Sequence, residues 1–311
     1  MADSRIASIT VRNLLNHSGG WDASISGEPV VPPIVTQIAA KMGVPFPPPP
    51  EAIVSYMLDQ RLDFSPGSRF AYSNFGFIVL GRIIEKISGQ RYEDFVRQQI
   101  LAPMGIERMR QSRTSLPLRA PDEVHYYDYA GAPLVDSLIA GVSGSVAEPY
   151  SGILPLESID SAGAWMASAI DLVRIFVMLD GQRPPAVVSS ASVEQMVTPA
   201  FTLNFDPEGN PVSYGLGIGM ISSGPDAMWW HNGGTWGTRA IAARMRNGWA
   251  WAVIFNSTPW ESLYTATGGG QLDIALQSLF SVDALESVSW PKIDLFPHYL
   301  SSNRVPVSAQ Q

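Results

Sequence analysis

Two apolar runs in the last third of the chain, TRAIAARMR (Thr238–Arg246) and WAWAVIFNS (Trp249–Ser257), are separated by Asn247-Gly248 alone. An Asn-Gly link between strand-like runs is a strong local signal for a β-hairpin, here of type I′. Two further runs precede it, SYGLGIGM (Ser213–Met220) and DAMWWHN (Asp226–Asn232). Strands joined by such short links pair antiparallel, so this part of the chain is committed to a meander. A sheet of this kind must bury its faces, and helices from the rest of the chain are the available cover.

Helical patterns dominate the residues upstream. FGFIVLGRIIEKIS (Phe75–Ser88) places Ile78, Val79, Ile83 and Ile87 near one face and closes at Gly89, a suitable C-cap. Ile9–Asn16, Glu51–Gln60 and Tyr92–Leu101 also read as helices, as does the stretch from an N-cap at Ser168 to Gly181. Gly27–Pro50 is a proline-rich loop with one short helix around Ile34–Met42, and Leu116–Ser161 is irregular. A last helix over Leu272–Phe280 follows three glycines. Helices followed by antiparallel strands predict an α/β fold, an α+β sandwich. We expect one domain over residues 1–311: a mostly helical part at about 21–200, the sheet and a C-terminal helix at about 210–282, and a tail at 283–311.

Composition narrows the chemistry. With 28 acidic and 20 basic residues the net charge is −8, which argues against nucleic acid or an anionic membrane as the main partner. The absence of cysteine excludes disulfides, Cys-ligated zinc and a thiol nucleophile. His17, His125, His231 and His298 lie far apart, so neither a metal site nor a cofactor is expected. MADSRIAS shows no signal-peptide pattern, and FGFIVLG and WAWAVIF are too short to span a membrane. Compartment, cytoplasmic or exported, is not readable.

Two short motifs could carry chemistry. Tyr72-Ser73-Asn74 precedes a helix, where the dipole would favour a phenolate-like Tyr72 and Asn74 could orient a neighbouring group. The same triplet also reads as an ordinary helix entry with Asn74 as N-cap. His231-Asn232-Gly233-Gly234 ends one strand and leads to the next. Its glycines allow close backbone approach and its N–H groups could stabilise an oxyanion, with His231 a titratable positive charge. A plain glycine-rich turn is the alternative.

In this order, however, ITVRNLLNHSGG, FSPGSRFAYSNFGFIVLGRIIEKISGQ, LAPMGI, SAGAWMASAIDLVRIF, YGLGIG and HNGGTWGT resemble the β-lactamase-related serine hydrolases. That family includes class C β-lactamases, D-alanyl-D-alanine peptidases and esterases, and the resemblance covers about Ile9 to Phe280. It implies an acyl-enzyme formed on the serine of Ser-x-x-Lys, with Tyr72 exchanging protons and Asn74 touching lysine and substrate. His231 and Gly233 match the third motif in the His-x-Gly form common among esterase-like members, and the Gly234 N–H would be an oxyanion donor. The implied partner is a small ester, amide or β-lactam-like molecule.

The chain departs from the family at the nucleophile. Of its three lysines, Lys41 and Lys86 follow isoleucines at the serine position, and only Ser289-Trp290-Pro291-Lys292 has the spacing, in a tail. Ser8 follows Arg5-Ile6-Ala7 suggestively, but Val11 stands where lysine is needed, and Ile9–His17 fits the linker that follows the nucleophile segment. We therefore expect the nucleophile segment to be missing and the chain to be inactive alone. A non-catalytic ligand-binding protein and one half of a split enzyme are the alternatives. Without that segment the meander should expose an edge and an apolar face, lowering stability or inviting a second chain or self-association.

Overall fold

In the computed structural model, which describes residues 2–129, 131–179, 186–224, 226–257 and 271–293, the strand-like runs form one antiparallel sheet of six strands. β1 (Phe201–Phe205), β2 (Pro211–Tyr214), β3 (Gly219–Ile221), β4 (Met228–Thr235), β5 (Thr238–Met245) and β6 (Ala250–Phe255) lie side by side in chain order. The run Ser213–Met220 is not one strand. The Gly215 N–H turns back onto the Ile218 carbonyl at 2.8 Å, dividing the run between β2 and β3. The β5–β6 link also differs from type I′, which needs positive φ at both central residues. Gly248 has φ of 106°, whereas among the described non-glycine residues only His17 and Ala164 have positive φ. The Gly248 N–H bonds to the Met245 carbonyl and the Met245 N–H to the Trp249 carbonyl, giving a three-residue loop with glycine at its left-handed position.

Both faces of the sheet are covered, contrary to the bare face expected from sequence. On one side Ile221, Met228, Ile241, Ala243, Met245 and Trp251 pack with Leu276 of one helix and Leu285 of the next. Those helices are Gln271–Leu279 and Val282–Glu286, and Trp251 stacks on Phe280 at 4.7 Å between them. On the other side Phe176, from the helix Ala169–Met178, packs on Ile218, Met220 and Ala242. The alternation of Ile241, Ala242 and Ala243 between these clusters is the two-residue period of a strand buried on both faces. β6 is an edge of the sheet, and just beyond it the Tyr127 N–H reaches the Asn256 carbonyl at 2.9 Å.

The helical layer is built from α1 (Val11–Leu15), α2 (Ile34–Met42), α3 (Pro50–Met57) and α4 (Asn74–Ser88). Ile38, Ile53, Phe75 and Ile78 are fully buried in one core between them. Arg82 on α4 bridges Glu51 at 2.7 Å and Asp160 at 2.5 Å, tying α3 and the turn Leu156–Ala162 to the same helix. The Gly217 N–H bonds to the Leu15 carbonyl at 2.8 Å and joins this layer to the sheet region, where the Leu216 N–H bonds at 3.0 Å to the carbonyl of Met196, the last residue of the helix Ser190–Met196. The seam they define runs past the ends of α1 and β2.

Candidate active site

Ser73, not Asn74, caps α4: its hydroxyl accepts the Gly76 N–H at 3.3 Å. The Asn74 side chain is thereby left to point elsewhere, and Tyr72 stands just outside the helix with 47% of its surface exposed. Its ring lies 4.2 Å, centroid to centroid, from that of His17. His17 is buried, held in a left-handed conformation (φ 54°) immediately after α1, and enclosed by Phe70, Phe77 and Tyr214 as well.

Hydrogen bonds from His17 lead to the second motif. The Ser73 N–H donates to His17 Nδ1 at 3.1 Å, so this nitrogen carries no proton and Nε2 does. His17 Nε2 then donates to the Tyr214 hydroxyl at 3.1 Å. The hydroxyl donates in turn to His231 Nε2 at 3.1 Å, and His231 Nδ1 donates to the Asn232 carbonyl at 2.7 Å. Every group in this chain is neutral. Burial drives the His17 pKa down to about 3, with His231 contributing, and burial also lowers that of His231. Burial raises the Tyr214 phenol well above its ordinary value. The positive charge expected at His231 is therefore absent, because the desolvated ring serves better as a neutral acceptor from Tyr214.

His231, Gly233 and Gly234 do not form a turn. They lie inside β4, opposite Ala242, Ala240 and Arg239 of β5, and the reversal comes later at Trp236-Gly237. β3 pairs with β4 only from Met228 to Trp230, while the β5 ladder continues to Thr235. His231 and Gly233 share one face of β4 by the strand period, and a side chain at Gly233 would meet open space. This end of β4 thus offers a backbone track with room above it. Tyr72, beside the helical layer, packs on the His17 ring, and His231, on the sheet, bonds to Tyr214.

The Asn74 side chain is hydrogen-bonded to a residue outside this bridge. Its Nδ2 donates to Glu28 Oε2 at 3.2 Å, and burial pushes the Glu28 carboxyl up to about 7. His17, Tyr214 and Glu28 were not singled out as site residues by sequence. NHSGG and YGLG mark the first two only as parts of longer matching stretches, and Glu28 lies in the proline-rich loop, 46 positions from Asn74.

The remaining serines and lysines stand apart. Ser8 lies in a turn where its hydroxyl donates to the Arg5 carbonyl at 2.7 Å. Ser289 and Lys292 are exposed beyond the last helix. Lys41 sits over the Tyr56 ring at 4.9 Å, and Lys86 is in the last turn of α4. Among the described residues no group of three acidic or histidine side chains is placed to hold a metal, and no helix is long and apolar enough to cross a membrane.

Solved structures share this architecture. The D-amino acid amidase of Ochrobactrum anthropi SV3, complexed with L-phenylalanine amide, superposes with a TM-score of 0.63 at 20% identity, covering 91% of this chain and 73% of the amidase. A D-stereospecific amidohydrolase from Streptomyces sp. gives 0.61 at 23% identity, covering 88% and 72%. In sequence, Penicillin-binding protein 4* of Bacillus subtilis (strain 168) is 26% identical over 222 residues, 67% of this chain and 42% of the relative. Penicillin-binding protein 4 of Amycolatopsis lactamdurans is 29% identical over 148 residues, 45% of this chain and 35% of the relative. The chain thus spans less than half the length of these curated relatives. The Beta-lactamase family profile matches residues 1–275, nearly the whole of the described fold, and the chain belongs to that family of β-lactamase-related serine hydrolases.

Proposed function

We propose that this chain carries the Tyr-x-Asn and His-x-Gly sides of an acyl-transfer site that hydrolyses an ester, amide or β-lactam through an acyl-enzyme. One observation supports this above the rest: the loop bearing Tyr72 and the strand bearing His231 are hydrogen-bonded through the same two buried side chains, His17 and Tyr214. In this reading Tyr72 takes the proton of an attacking serine and returns it to the leaving group. Asn74 contacts the substrate, Gly233 leaves room for it beside β4, and the Gly234 N–H stabilises the oxyanion. A neutral histidine in the third motif favours uncharged acyl substrates such as esters over those needing a cation at that point.

The attacking serine is not supplied by these 311 residues. Their one serine with lysine three positions on, Ser289, is exposed in the tail, and an exposed Ser-Trp-Pro-Lys segment lacks the buried base that activates such a nucleophile. The chain alone is then a ligand-binding protein without turnover. A fluorophosphonate probe tests this directly: we expect no covalent labelling of the 311-residue chain and no hydrolysis of p-nitrophenyl esters or nitrocefin. Stoichiometric labelling at any serine would overturn the assignment of an incomplete site.

A further inference from the structure

The proline-rich loop before α2 closes over α2 and the end of α3 and leaves a cavity of about 270 Å³. Gly27 permits this approach: its φ is 85°, and a Cβ there would fall 2.4 Å from Ile34 Cδ1 on α2. Pro29, Ile34 and Met57 supply apolar walls, while Gln37, Tyr56 and Arg61 supply polar groups. None of Tyr72, Asn74, His231, Gly233 and Gly234 lines it, so it is separate from the proposed acyl site. Arg5, Arg69 and Arg82 are paired with carboxylates. Among the described residues the Arg61 guanidinium has neither an ion pair nor a hydrogen bond, and the Gln37 amide group is likewise unengaged.

Charge and shape select the ligand. Among the described residues lining the cavity none is acidic, and the Lys41 ammonium, 4.9 Å over the Tyr56 ring, brings a second cation beside it. The Ser26 hydroxyl, also at the cavity, donates to Asp63 Oδ2 at 2.8 Å, and the Asp22 N–H donates to the same oxygen at 2.8 Å. That carboxylate oxygen is therefore already supplied with donors. A second hollow, of about 320 Å³, gives the contrast: there Arg97 shares the walls with Asp94 and Glu107. A free guanidinium holds a carboxylate best, as a two-bond fork, and Gln37 and Tyr56 offer further donors. Inorganic phosphate would leave the three apolar walls unfilled. Ligand cavities commonly start near about 300 Å³, so the occupant is small. We propose that this cavity binds a monocarboxylate with a single-ring or short branched apolar body, its carboxylate held by Arg61. The proposal does not depend on the acyl-site reading.

Calorimetric titration of the 311-residue chain compares phenylacetate with phenylacetamide, its uncharged isostere, and with inorganic phosphate. We expect phenylacetate to bind about tenfold or more tightly than either. Arg61→Gln should abolish the preference for phenylacetate over phenylacetamide, and Arg97→Gln, in the second hollow, should keep it. Arg61 is exposed and unbonded, so its replacement removes no contact of the fold. The unaltered chain also reports the location: phenylacetate should slow phenylglyoxal modification of Arg61, followed by mass spectrometry, and leave that of Arg97 unchanged. Equal binding of phenylacetate and phenylacetamide overturns the carboxylate site, as does a preference that survives Arg61→Gln or an Arg61 that phenylacetate does not protect. Phosphate binding as tightly as phenylacetate overturns the assignment to an apolar carboxylate. Binding of none of the three overturns the proposal and leaves the acyl-site reading untouched.

Discussion

At the scale of single residues, the Tyr214 hydroxyl joins two histidines that lie 214 positions apart in the sequence and that the fold brings onto one oxygen. It accepts from one ring and donates to the other, so the rings must hold opposite tautomers: His17 protonated on Nε2, His231 on Nδ1. Long-range proton–nitrogen correlation spectra should show this pair of tautomers, both neutral at pH 7, with His17 still neutral at pH 5. Equal tautomers or a protonated His17 at that pH would contradict the hydrogen-bond assignment. Tyr214→Phe keeps the ring but leaves a buried N–H and a buried ring nitrogen without their partner. We expect a loss of about 2–3 kcal/mol in urea unfolding, against well under 1 kcal/mol for an exposed phenol. No pattern of spacing announces this network. His231 was singled out by its motif, but His17 and Tyr214 were legible only as letters within family-like stretches, because a hydrogen bond between distant residues leaves no local periodicity.

At the scale of elements, legibility followed how local the cause is. α4 was readable because its apolar spacing and terminal Gly89 act within the helix itself, although the capping role belongs to Ser73 rather than Asn74. The hairpin was readable as a hairpin, while its loop type was not, since Asn-Gly is compatible with two- and three-residue loops and the strand register decides between them. Gly233-Gly234 looked like a turn because glycine usually marks one, yet pairing with β5 holds it extended. Gly81 shows the same competition within α4. Replacing a mid-helix glycine with alanine ordinarily gains up to about 1 kcal/mol. Here a Cβ would fall 2.1 Å from Ser161 Oγ and 2.5 Å from Ser161 Cβ, where the turn Leu156–Ala162 crosses the helix. Overpacking of that kind costs about 1–3 kcal/mol, so the contact outweighs the propensity. Gly81→Ala should lower the thermal midpoint, and a raised midpoint would show that the crossing can relax.

For the whole molecule, His17 at the seam between helical layer and sheet and Glu28 in the loop before α2 respond to pH in opposite senses. Unfolded His17 titrates near 6.5 but folded His17 only near 3, so between those values folding excludes a proton and stability rises with pH. His231, also lowered by burial, acts in the same direction. Glu28 does the reverse: unfolded it titrates near 4.5 and folded near 7, so between those values folding takes up a proton and stability falls as pH rises. Each contributes a slope of about 1.4 kcal/mol per pH unit, with opposite signs, over the shared window from pH 4.5 to 6.5. In that window the Glu28 term cancels most of the gain from His17. Glu28→Gln removes the falling term and leaves the rising one. Urea unfolding at pH 4.5, 5.5 and 6.5 should therefore show the variant gaining on the wild-type chain by about 2–3 kcal/mol from the lowest to the highest pH. All groups common to both proteins drop out of this difference. A difference independent of pH would mean that the Glu28 carboxyl keeps one charge state throughout this window.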